Sequence, residues 1–219
     1  MLEDLYKEYD KLQQKYGDKS LHSIYNGGCI DNPDIMFIFM NPTGKNIASL
    51  PEWKGIHAPW IGTKNVWPLL NKIGLLDDSL ASQIKNKKAI EWDEKFAQAV
   101  YDDITNHKIF ITNLAKCTQF DARPLPDTVF KKYLNLMLKE IDIIKPKIIV
   151  TFGNQVSSII LNQKISVSQC RKKKYVLKVN KKEYDVYPVY YPVGNGIFNQ
   201  DKAIEDLLYI RSVACEKIL

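Results

Sequence analysis

No apolar run in the 219-residue chain approaches the roughly 18 residues needed to span a bilayer. The acidic start, MLEDLYKEYDKL, has neither a basic leader region nor an apolar stretch behind it. Both absences lead us to expect a cytoplasmic protein that makes no use of a membrane. The four cysteines, Cys29, Cys117, Cys170 and Cys215, are far apart and form no C-x-x-C pair, which argues against a zinc ribbon or a disulfide framework. The three histidines, His22, His57 and His107, show no metal-ligand spacing, and no metal site is expected. There is no Walker loop, H-E-x-x-H or G-x-S-x-G, so the usual signatures of nucleotide hydrolysis, zinc proteolysis and serine hydrolysis are missing. Linkers, internal repeats and low-complexity tracts are absent as well.

What remains is an ordinary globular composition, 45% hydrophobic and 26% charged, long enough to bury a core as one domain over residues 1–219. The net charge of +6 leans toward polyanionic partners, although clustering decides such a case better than the total. LEDLYKEYDKLQQKY has helical spacing of its apolar residues. IMFIFM, by contrast, is a continuous apolar run of strand length, expected where helices cover a sheet on both faces.

A long polar loop from Pro42 to about Lys64 follows, then helical patterns in NVWPLLNKIGLL and AIEWDEKFAQAVYDDITNH. Strand KIFITN, helix DTVFKKYLNLMLKEIDII with Asp127 as candidate N-cap, strand KIIVTFG and helix NQVSSIILNQ come next. A hairpin around NKKE and a C-terminal helix complete the chain. This alternation predicts an α/β three-layer sandwich whose central, mostly parallel four-stranded sheet is flanked by helices.

In such a sheet ligands gather beyond the carboxyl ends of the strands. The loops there are NPTGK, NLAKC, GNQ and PVGNG, and two of them open with an asparagine, Asn41 and Asn113. An amide offers donors and an acceptor without charge, which suits holding a water or reading an uncharged base edge; it also caps turns. His57, in the long loop, is either a donor to a base or phosphate or an exposed loop histidine.

These segments carry a resemblance. FIFMNPTG resembles the first motif of the uracil-DNA glycosylase superfamily, in the Asn-bearing form of its single-strand-selective and mismatch-specific branches. APWIG, IFITNLAKCTQFDARPLP and LKEIDIIKPKIIVTFGNQVSSIIL resemble, in order, segments of its thermostable bacterial and archaeal branch, and VYYPVGNG takes the place of the last motif. The resemblance implies a DNA glycosylase acting on uracil or a related deaminated base in base excision repair, most simply as a monomer. It implies Asn41 as the side chain that positions the attacking water, with Met40 beside it at the base. Trp60 would stack on an extruded base, and Asn113 would read its edge.

The family histidine of the last motif is replaced by Tyr191, which can still donate a hydrogen bond, as can Asn195. Ile197 and Phe198 fall where the family inserts a wedge into the duplex. Lys45 and Lys116, beside the motif loops, are candidates for backbone phosphates, as are Lys172, Lys173 and Lys174 in QCRKKKYVLKVNKK. The thermostable branch holds an iron-sulfur cluster on four cysteines. Here only Cys117 matches, Tyr133 stands near another ligand position, and we expect no cofactor. Two rivals stay open: a catalytically weak or inactive member that binds nucleic acid or nucleobase, and a hydrolase of small nucleosides.

Overall fold

Five consecutive apolar residues, Ile35 to Phe39, are buried without exception, which a single-faced helix cannot achieve and a strand covered on both sides must. The structure, a computed structural model, describes residues 1–122 and 125–216, with the side chains of Asn195 and Glu216 outside that description. Helix α1 (Leu2–Tyr16) precedes strands β1 (Asn26–Gly28) and β2 (Ile35–Phe39). Helices α2 (Trp67–Lys72), α3 (Asp78–Asn86) and α4 (Glu94–Asn106) lead to β3 (Ile109–Asn113). Then come α5 (Asp127–Ile144), β4 (Ile148–Phe152), α6 (Gly153–Ile160), β5 (Tyr175–Val179), β6 (Lys182–Val189) and α7 (Gln200–Glu216).

The sheet order is β1-β3-β2-β4-β6-β5. Strands β3, β2, β4 and β6 run parallel, while β1 and β5 pair antiparallel at the two edges. The expected parallel four are thus the centre of a six-stranded sheet. Strand β5 is the outer arm of the predicted hairpin. Strand β1 comes from a stretch that reads as a Gly-rich turn, and a Cβ on its Gly27 would lie 2.3 Å from the Tyr101 ring, so glycine is what lets α4 approach this edge.

Alternation along β2 divides the core. Ile35, Phe37 and Phe39 pack toward α2, α4 and α7, whereas Met36 and Ile38 pack toward α1, α5 and α6. The three-layer α/β arrangement follows from that division. Local capping sets the helix ends. The Asp93 side chain accepts from Phe96 N at 2.7 Å, so α4 starts at Glu94 and the residues before it form a separate short turn. Asp77 caps α3 in the same way, through Ser79 N at 2.8 Å. Asp127 is not a cap: it is the first residue of α5, follows Pro126, and accepts from Gln155 Nε2 at 2.7 Å.

Candidate active site

Phe39 and Asn113 are register partners at the carboxyl ends of β2 and β3. The two chains stay paired beyond those ends: Leu114 N donates to Phe39 O at 2.8 Å, Ala115 N to Met40 O at 3.0 Å, and Gln119 N to Pro42 O at 3.1 Å. This extended pairing fixes the loop of Asn41 against the loop of Asn113. Between them and the ends of β4 and β6 lies a cavity of about 540 Å³, lined by Met40, Asn41, Lys45, Trp60, Asn113 and Tyr191 among others. The structure therefore gathers six of the candidates, from four separate segments, on one concave surface.

Each amide is left with a free group. Asn41 Nδ2 donates to the Pro42 carbonyl at 3.1 Å, and its Oδ1 has no protein partner among the described residues. Asn113 is only 2% exposed, yet its side-chain amide bonds to no described residue and opens onto the cavity. A buried, unpartnered amide costs roughly 1–3 kcal/mol unless a ligand or water satisfies it.

Trp60 is held by a long loop that its own side chains staple. Buried Asn46 accepts from Ala48 N at 3.1 Å and donates to Ala58 O at 2.9 Å, and the Trp60 carbonyl accepts from Trp67 Nε1 at 3.2 Å. Trp60 itself sits at φ +68, a left-handed conformation costing a bulky residue about 1–3 kcal/mol. Its ring meets Phe39 edge-on at 5.0 Å, and its indole N–H is buried without a partner. Tyr191 packs edge-on against the same Phe39 at 6.3 Å, and burial pushes its phenol well above the ordinary range. It therefore remains a hydrogen-bond donor at neutral pH.

At the mouth, Ile197 is 58% exposed and Phe198 90% exposed on the short helical turn Gly194–Asn199. The Asn195 side chain on that turn lies outside the described residues. Asn154 and Gln155, which no motif assigns a role, also line the cavity from the start of α6. Their side chains hold neighbouring segments in place, Asn154 by accepting from Val167 N at 2.9 Å and Gln155 by donating to Leu125 O at 3.1 Å. The GNQ turn after a parallel strand was the available signal.

Lys116 is a correction. It is fully buried and forms an ion pair with equally buried Glu140 at 2.8 Å, so it cannot reach a phosphate. Its ammonium also donates to the Thr112 hydroxyl and, at 2.8 Å, to the Asn113 carbonyl. Glu140 collects Tyr9 OH at 2.8 Å, Asn26 Nδ2 at 3.0 Å and Thr112 Oγ1 at 3.1 Å. Burial pushes the Lys116 pKa down against the pull of Glu140. The basic candidates of the segment before β5 are partly committed: half-buried Lys172 pairs with Glu205 at 2.5 Å, exposed Lys174 lies 3.5 Å from Asp185, and exposed Lys173 sits over the Tyr175 ring. They enter β5 beside Val186, at the same end of the sheet as the cavity.

His57 is a second correction, since it neither lines the cavity nor stands exposed. It faces a separate cleft of about 270 Å³ with His22, Ser23, Tyr25 and Asp10, its ring 5.7 Å from that of His22. Burial, then the neighbouring His22, lowers its pKa below 6.5, outweighing the opposite pull of the Ala48 backbone and Asp10. Because the folded value is the lower one, His57 contributes stability that is present above pH 6.5 and is lost as pH falls through the folded pKa. We expect melting temperature to drop on acidification from pH 7 toward pH 5, and His57→Gln to flatten that drop in a thermal-melt series.

The thiols do not fit a four-cysteine cluster. Burial raises the Cys117 pKa, the reverse of what a metal thiolate needs, and its neighbours are Tyr133 and Gln119. Cys29 lies at the opposite end of β3, its N–H on Ile109 O at 2.7 Å. Cys170 packs with Ile165 and Val167, and Cys215 is exposed on α7. No group of three or more His, Cys, Asp or Glu among the described residues is placed to hold a metal.

A sequence model of the Uracil DNA glycosylase superfamily matches residues 27–205, from β1 into α7 and across every loop of the cavity. The chain belongs to that superfamily. A Type-4 uracil-DNA glycosylase of Sulfurisphaera tokodaii is 37% identical over 117 residues, 49% of this chain and 51% of the relative. The chain thus spans about half the length of the curated glycosylase it matches. Among the described residues, no helix is long and apolar enough to cross a membrane.

Proposed function

We propose that the protein is a DNA glycosylase that hydrolyses the N-glycosidic bond of uracil or a related deaminated base in DNA. One observation carries the reading: Asn41, Trp60 and Asn113, from three segments distant in sequence, line one cavity at the carboxyl end of a superfamily sheet. A base taken out of the stack needs an aromatic wall and a hydrogen-bonding edge, and Trp60 and the unpartnered Asn113 amide supply both. The free Asn41 Oδ1 accepts from one water so that the water's own lone pair faces the sugar carbon; the Tyr191 hydroxyl donates toward the base oxygen as the departing base takes the C–N electron pair, and the proton the water sheds passes through solvent to that base. Lys45 at the mouth and the exposed Ile197 and Phe198 take the flanking phosphate and the space left by the base.

Among the described lining residues none is a carboxylate, so none of them neutralises the cationic sugar by charge. That favours a slow enzyme and, as a second reading, a member that binds a base without turnover. Single-lesion oligonucleotides carrying uracil, hypoxanthine, xanthine or a thymine mismatch, single- and double-stranded, separate the two when free base and abasic sites are measured beside free deoxyuridine. Release from at least one oligonucleotide and none from the nucleoside is expected. Tight binding with no product from any of them overturns catalysis.

A further inference from the structure

Phe120 does not line the base pocket, and it is 74% exposed. The backbone holds it firmly at the rim. Gln119 pairs with Thr43 across the two motif loops, Gly44 N donates to Gln119 O at 2.8 Å, and Gln119 Nε2 reaches the Tyr16 carbonyl at the end of α1 at 2.8 Å. Two residues later Ala122 lines the cavity. Phe120 belongs to the loop after β3, whereas Phe198 belongs to the loop after β6, and the loops of β2 and β4 with the cavity lie between them. Three strand spacings, about 14 Å, separate the strands β3 and β6 that these loops follow. Exposed aromatic residues thus stand on the loops either side of those that carry the cavity, with Lys45 in the lining and Lys172 to Lys174 entering the sheet beyond β6.

A stray exposed phenylalanine on a soluble protein is unremarkable. One fixed at the lip of a cavity that receives a base, in a chain of net charge +6, matches the usual architecture for gripping a single strand: cations along the backbone and aromatic faces under the bases. Stacking does not read sequence, so it suits a protein that searches for a rare base in any context.

We propose that Phe120 is a stacking platform for the base next to the extruded nucleotide, on the side of the lesion opposite Phe198, so that the two rings bracket the target in an unpaired DNA strand. The proposal rests on the glycosylase reading and adds to it a strand-recognition element.

The test uses fluorescence anisotropy with the full chain and a single-stranded oligonucleotide carrying one uracil, with the bases on either side of it replaced one at a time by an abasic spacer. Phe120→Ala is expected to weaken binding roughly tenfold and Phe120→Trp to restore it. Removing the base at one particular flanking position costs the wild type the same factor and costs Phe120→Ala nothing. Wild-type affinity in Phe120→Ala overturns the proposal, as does a loss that persists unchanged whichever flanking base is removed. Should the wild type release base while either of those results holds, the glycosylase reading survives and this inference alone fails; a wild type that neither binds nor cleaves removes both.

Discussion

Lys116→Ala unfolds at a melting temperature about 10 °C below that of the wild type, a loss of roughly 3–5 kcal/mol expected when one partner of a buried ion pair is removed. The cost comes from Glu140, which stays fully buried with its charge uncompensated and only Tyr9, Asn26 and Thr112 to hold it. Lys116→Met combined with Glu140→Gln removes both charges and keeps an oxygen for those donors, so most of the loss is recovered. The same change acts on function, because the Lys116 ammonium holds the Asn113 carbonyl. Activity of the double variant is expected to stay below wild type even where its stability has returned. Urea denaturation of the three proteins checks the energetic part, and a Lys116→Ala value within about 1 kcal/mol of wild type contradicts it.

Gly196→Ala has a large effect on activity and a small one on stability. A Cβ at this position would lie 1.8 Å from the Tyr191 carbonyl oxygen, a distance no side chain tolerates, so the turn Gly194–Asn199 must shift and take Tyr191 with it. The Gly196 N–H that closes the turn on the Val193 carbonyl at 3.0 Å is lost with that shift. Displacing a positioned group by an ångström costs about a hundredfold in rate, which is the loss expected here. Because the turn lies at the surface, the melting temperature should change by no more than a few degrees. A Gly196→Ala protein with wild-type base release removes the Tyr191 turn from the site.

Much of this arrangement is legible in the sequence for identifiable reasons. The run from Ile35 to Phe39 has no polar interruption, which fixes its place in the middle of a parallel sheet, and a parallel sheet fixes where to look for Asn41 and Asn113. The edges are different. Strand β1 consists of Asn-Gly-Gly, held by backbone pairing to β3 rather than by any preference of its own, so nothing in its composition announces a strand. Helix α3 was open to detection, since Asp77 precedes Leu80 and Ile84 at helical spacing.

Lys116 shows the limit most clearly. A lysine in a polar loop is a surface residue by default, and only tertiary structure brings Glu140, on α5, into contact with it. His57 is misplaced for the same reason, since its partner His22 comes from a segment with no motif of its own. Phe120 was open to detection as the one aromatic residue in the loop CTQFDAR, but its exposure could not be read from sequence.

The most direct test of the account is the single-turnover rate of base release from a uracil-containing oligonucleotide by Asn41→Ala, beside the wild type and at saturating protein. A side chain that orients the attacking water is worth about a hundredfold or more, so the variant should be slower by at least that factor while binding the oligonucleotide as tightly. Equal rates in the two proteins contradict the claim that a neutral amide at the end of β2 prepares the water for its attack.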